Sequence, residues 1–138
     1  MRRLKQPLIQ GGKYIQAKAL QSESPETDKL PPKFSFRHLN RDYSISKCTD
    51  EEKVSFVDKM HRLSQLAWYE VRQQSRHKLG CETLARKSLH GIPPNVTDDV
   101  DFIAFRFYKL APMIGYRGDD GTFYIIWFDR EFKLYNHG

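Results

Sequence analysis

The stretch FIAFRFYKLAPMIGYRGDDGTFYIIWF, residues 102–128, decides the fold. It divides into FIAFRFYKL, PMIGYR and TFYIIWF, with GDDG as a compact turn between the last two, the pattern of an antiparallel meander. Side chains alternate along a strand, so Ile103, Phe105 and Phe107 share one face and Ala104, Arg106 and Tyr108 the other. If the turn sets Arg117 opposite Thr122, then Ile114, Tyr116, Phe123, Ile125 and Trp127 form the more apolar face and pack on helices. Met113, Gly115, Arg117, Thr122 and Tyr124 fall on the opposite face.

Working outward, residues 81–101 contain GIPPNVTDDVD, whose prolines and short polar residues predict a connecting loop. Before it, Thr49 followed three residues later by Glu52 is a capping box, and Asp50 and Glu51 suit the positive end of a helix dipole. Val57, Met60, Leu63 and Ala67, with Val54 and Leu66 beside them, repeat at helical spacing and predict the buried stripe. A break near Ser64 leads to a second helix through WYEVRQQSRHKLG, capped at Gly80. KFSFRHL, residues 33–39, alternates as a half-buried first strand.

Residues 1–32 are basic at the start and then polar and proline-rich, which predicts a flexible arm ahead of a single domain at 33–138. The chain of 138 residues is long enough for one core without disulfides or a structural metal. Cys48 and Cys81 lack metal-pair spacing and read as reduced thiols; no cofactor is expected. No apolar run approaches the roughly 20 residues that cross a bilayer, so the expected location is the cytoplasm, with no membrane partner. The expected class is α+β: an N-terminal strand and two helices packed on an antiparallel meander.

With 23 Lys and Arg against 17 Asp and Glu, the net charge is +6, which suits a polyanion or an acidic protein as partner. Arg106 and Arg117 among strand aromatics, with Tyr108 and Tyr124, form the mixture of cations and rings that holds phosphates and stacks bases. The same arginines would be structural if they paired with Asp98, Asp99, Asp120 or Asp129. Arg130, Lys133, Tyr135 and His137 crowd the last nine residues and place acid–base groups at the rim of that face. Arg76, His77 and Glu82 bring a guanidinium, an imidazole and a carboxylate together a second time, although His77 also suits a helix C-terminus. His38, His61 and His90 read as surface residues.

Element order, positive charge, AFRF, MIGYR and the closing FYIIWFDREFKLYNHG together resemble the RelE/ParE superfamily of bacterial toxins, over residues 33–138. The resemblance implies a RelE-like fold and a metal-independent endoribonuclease of a toxin–antitoxin system, cutting messenger RNA on the ribosome and neutralised by an acidic antitoxin. Cleavage would follow attack of a ribose 2′-hydroxyl on the neighbouring phosphate. Arg106 and Arg117 would neutralise the phosphate charge, and Tyr135, His137, or His77 with Glu82, would move protons. Arg76, Tyr108, Tyr124, Arg130 and Lys133 would hold the RNA. The long arm and the long 81–101 loop depart from the family pattern. Two other classes fit the composition: a nucleic-acid or ribosome binding module that leaves RNA uncut, and a protein-interaction domain of a mobile element with Trp68 and Tyr69 at its interface.

Overall fold

The computed structural model describes residues 25–74, 79–85, 89, 92, 96 and 100–134. Its elements are α1 (Pro25–Asp28), β1 (Lys33–Ser35), two 3-10 turns (Arg41–Tyr43 and Ile45–Lys47), α2 (Asp50–Leu63), α3 (Trp68–Gln73), β2 (Cys81–Leu84), β3 (Phe102–Tyr108), β4 (Ala111–Arg117) and β5 (Thr122–Phe128). The fold is α+β. Five strands form one mixed sheet in the order β1-β5-β4-β3-β2, in which β1 runs parallel to β5 and the other pairs are antiparallel. The sheet is therefore not the purely antiparallel meander expected, and it carries an extra strand, β2, inside the segment read as a loop.

Helix α2 begins where its capping box places it. The Thr49 side chain accepts the Glu52 N–H at 3.2 Å, and the Glu52 carboxylate accepts the Thr49 N–H at 2.7 Å. It ends at Leu63, with Ser64 as the C-terminal cap. The expected stripe holds in part: Leu63 is buried and Met60 and Leu66 pack against the core, but Val54 and Val57 are 69% and 58% exposed, and Glu52, Phe56 and Lys59 are buried in their place. Both sets have helical spacing, and the side that carries Phe56 wins because it meets Phe36 and Phe128. Helix α3 stops at Gln73, so Gly80 does not cap it and instead immediately precedes β2.

Between β4 and β5 the turn sets Arg117 opposite Phe123, not Thr122. Gly118 N–H donates to the Thr122 carbonyl at 2.8 Å and Asp120 Oδ1 accepts the Thr122 N–H at 3.1 Å, which sets Thr122 against Gly118 at the start of β5. A one-residue slip exchanges the faces of one strand relative to the other. Accordingly Met113, Phe123, Ile125 and Phe128 pack with Phe56, Leu63, Trp68 and Val71 of the helices. Ile114, Ile126 and Trp127 lie on the far side of the sheet, joined by Phe102, Ala104, Leu84, Leu89, Val96 and Leu134. The sheet is thus covered on both faces, and the open cationic face expected from the sequence is replaced at its centre by a second apolar layer. Each fully buried large side chain in these layers contributes about 1.5–3 kcal/mol.

Residues 25–32, read as part of the arm, dock on the domain. Thr27 and Asp28 reach Arg72 and Arg117, and the Leu30 carbonyl accepts the Trp68 N–H at 3.0 Å. Residues 1–24 lie outside the described residues. Among the described residues no helix is long and apolar enough to cross a membrane.

Candidate functional site

Two polar groupings remain on the far face of the sheet. At one end, Glu82 pairs across from Ala104, so it sits diagonally from Arg106 two residues along β3. Alternation puts Arg106 on the face of Phe102 and Ala104, away from Phe105, which belongs to the helix-side core. Diagonal neighbours on one sheet face lie within reach of long side chains.

At the other end three rings meet. His38 lies 5.3 Å from the Tyr124 ring and 6.3 Å from that of Tyr116, and the two tyrosines stack at 5.2 Å with an interplanar angle of 24°. All three are half-buried. Burial pushes the Tyr116 hydroxyl above its ordinary pKa, and the neighbouring Tyr124 adds to the effect. Tyr116 also pairs with Phe102, four residues before Arg106, so the two groupings are separated by about 13 Å along β3.

The other residues singled out in the sequence go elsewhere. Arg117 turns to the helix side, where its guanidinium bridges to Asp28 at 2.8 Å, donates to Thr27 Oγ1 at 2.7 Å and covers the Trp68 ring at 4.7 Å. A structural ion pair is what it makes, with Asp28 in the arm as its partner; Asp98 and Asp99 lie outside the described residues. A bulge between Arg106 and Tyr108 breaks the alternation, and Tyr108 packs against the helix-side core with its hydroxyl donating to Glu51 at 2.9 Å. Arg130 Nε donates to Glu52 at 2.6 Å. Lys133 lies 3.2 Å from Glu131, both largely exposed. Trp68, expected at an interface in the interaction-domain reading, is buried, whereas Tyr69 is 44% exposed. Arg76, His77, Tyr135 and His137 lie outside the described residues.

The start of the tail is nevertheless built. Asp129 is fully buried and its carboxylate accepts the N–H groups of Lys133 at 2.8 Å and Leu134 at 3.1 Å. Leu134 is buried in the far-face cluster beside Phe102 and Ala104. His38 and Tyr116 are the residues that the sequence did not single out. No local signal marks His38, because it reaches the tyrosines only through the pairing of β1 with β5, and the register of β4 hides Tyr116.

On the helix side, Lys59 is 6% exposed, and burial, followed by the charges of Arg62 and Arg106, brings its ammonium down to about 8. Burial also pushes the Cys48 and Cys81 thiols up to about 11, so both free cysteines stay protonated and poorly nucleophilic at neutral pH. Among the described residues no group of three His, Cys, Asp or Glu side chains is placed to hold a metal ion. No protein-family model matches the sequence, and no curated protein or solved structure matches it.

Proposed function

We propose that the protein is an RNA-cleaving toxin of the RelE kind, working from the far face of its sheet and restrained in the cytoplasm by an acidic partner protein. The juxtaposition on that face of the Glu82–Arg106 diagonal and the His38–Tyr116–Tyr124 stack carries this reading. Stacked rings accept unpaired bases of any sequence, and a guanidinium about 13 Å away meets the backbone. Arg106 would stabilise charge on the phosphate, the electrostatic part of the reaction. Glu82 would take the proton of a ribose 2′-hydroxyl as its oxygen attacks the adjacent phosphorus. The bond to the 5′-oxygen breaks, and that oxygen takes a proton from Tyr135 or His137, leaving a 2′,3′-cyclic phosphate and a 5′-hydroxyl. The net charge of +6 supports both the RNA and an acidic inhibitor as partners.

One observation favours a second reading, an RNA-binding module that does not cut. Arg117, the other phosphate-holding arginine expected from the sequence, is engaged by Asp28 on the opposite side of the sheet. Incubation of single-stranded RNA with the wild type, Glu82→Gln, Arg106→Ala and Tyr124→Ala separates the two. The toxin reading expects cyclic-phosphate ends from the wild type alone or nearly so, with Tyr124→Ala weakening binding. Intact RNA bound with steep salt dependence would leave the binding module. RNA neither bound nor cut would end both.

A further inference from the structure

The carboxylate of Asp28 receives three charged hydrogen bonds from two guanidinium groups. Arg72 Nη1 and Nη2 lie 2.7 and 2.6 Å from its two oxygens, and Arg117 Nη1 lies 2.8 Å from Oδ1. Two arginines thus converge on one carboxylate. Arg117 also keeps a donor that Asp28 does not answer: its Nε is buried and makes no hydrogen bond among the described residues, and the side chain is only 7% exposed. An unanswered buried donor is costly, and a tetrahedral oxyanion offers the further acceptor that a carboxylate lacks.

The segment bearing Asp28 is held mainly by polar contacts. Thr27 accepts from Arg117, Leu30 accepts from the Trp68 N–H, and the Leu30 side chain is 51% exposed. The floor beneath is rigid, because the Trp68 ring lies under Arg117 and its Nε1 donates to the Gly121 carbonyl at 2.7 Å. An open groove of about 560 Å3, lined by Asp28, Lys29, Ala67, Tyr69 and Glu70, runs alongside.

We infer that Arg72 and Arg117 form a binding site for a phosphate group, filled in this structure by Asp28 on a displaceable strap, residues 25–30. Arginine pairs grip phosphate through the same fork geometry they use on a carboxylate. The site is on the helix side, away from Glu82 and Arg106, so it stands independently of RNA cleavage. The phosphate is either the terminal monoester of a nucleic acid or a free phosphate compound.

Calorimetric titration of the full chain with inorganic pyrophosphate tests this. Asp28→Ala should bind at least ten-fold more tightly than the wild type, and Asp28→Ala with Arg72→Gln should lose the gain. A tetranucleotide RNA with a 5′-phosphate binding more tightly than its 5′-hydroxyl form identifies a nucleic-acid end as the source; equal binding of the two, with pyrophosphate tighter than both, identifies a free phosphate compound. Equal affinity of folded Asp28→Ala and wild type for pyrophosphate overturns the site. If Asp28→Ala fails to fold, trypsin cleavage after Lys29 in the wild type decides. Pyrophosphate should accelerate it several-fold over sodium chloride of equal ionic strength, and not in Arg72→Gln; equal rates overturn the proposal.

Discussion

Arg130 Nε lies 2.6 Å from Glu52 Oε1, and the same oxygen accepts the N–H of Thr49 at 2.7 Å. One carboxylate oxygen therefore completes the cap of α2 and fastens the turn after β5 to the first turn of the helix. Glu52 is 7% exposed and the Arg130 side chain 30%, so the two bonds are partly shielded from water.

That double engagement sets an order of mutational costs. Removing an N-cap side chain costs about 1 kcal/mol, whereas a hydrogen bond to a charged group adds about 1.5–3 kcal/mol. Glu52→Ala should lower the unfolding free energy in urea by about 2–4 kcal/mol and Thr49→Ala by about 1 kcal/mol. A Glu52–Arg130 double-mutant cycle should return a coupling of about 1 kcal/mol or more. Equal costs for the two single variants would mean that Arg130 adds nothing.

Acid should loosen two places first. The Arg72 hydrogen bonds hold the Asp28 carboxyl below its ordinary value despite burial, and Arg117 reinforces them. Burial alone would raise Glu52, but the Thr49 N–H and Arg130 outweigh it and the net shift is downward. A carboxylate with a lowered folded pKa contributes fully above its unfolded value, here 3.8 for Asp28 and 4.5 for Glu52, and the contribution fades as pH falls through the folded value. Melting temperatures should carry little of this dependence between pH 5 and 7 and fall below about pH 4. Asp28→Asn and Glu52→Gln should each flatten that fall.

Lys59 should show the opposite slope at the alkaline end. With a folded value of about 8 against 10.5 unfolded, the folded chain binds fewer protons through that interval, and stability rises as pH climbs from about 8 to 10.5. Lys59→Met should remove the rise and stabilise the protein at pH 7 by about 1–3 kcal/mol. Chemical denaturation of both proteins at pH 7 and pH 10 checks it; an unchanged slope in the variant would assign the rise to another group.

Gly115 tolerates no side chain. A Cβ built there would stand 1.9 Å from the Tyr124 carbonyl oxygen, a backbone atom of the neighbouring strand. Gly115→Ala should cost about 3 kcal/mol or more in urea unfolding and displace Tyr124 from Tyr116. Retention of wild-type stability would show that β5 shifts freely at the break in its register with β4, which lies between Ile114 and Gly115.

What the sequence made legible was local. The capping box at Thr49, the three long strands and the break near Ser64 each follow from residues within one turn or one hairpin. The register of the last hairpin did not, because the turn sets Gly118 rather than Arg117 against Thr122, and that one-residue shift exchanged the faces on which Arg117 and Tyr116 were expected. A four-residue strand such as CETL is too short to display alternation, so β2 was hidden beside a loop rich in proline and aspartate. The candidate site suffered most, since its relationships are distant. Asp28 meets Arg72 across 44 positions, and His38 meets the tyrosines through a parallel pairing that no neighbouring residue announces.

Strand β5 lies between β4 and β1, with Lys33 opposite Thr122, so the oldest and the newest parts of the sheet must wait for one another during synthesis. Until residue 128 has been made, β4 presents an unpaired edge with apolar side chains on both faces, and β1 has no partner. Such a nascent chain is slow to fold and prone to pair with other strands, because distant contacts must close before any of them is rewarded. Messages truncated within β5 should therefore yield aggregates rather than partly folded domains, and cells making the protein should lean on chaperones until its last strand is inserted.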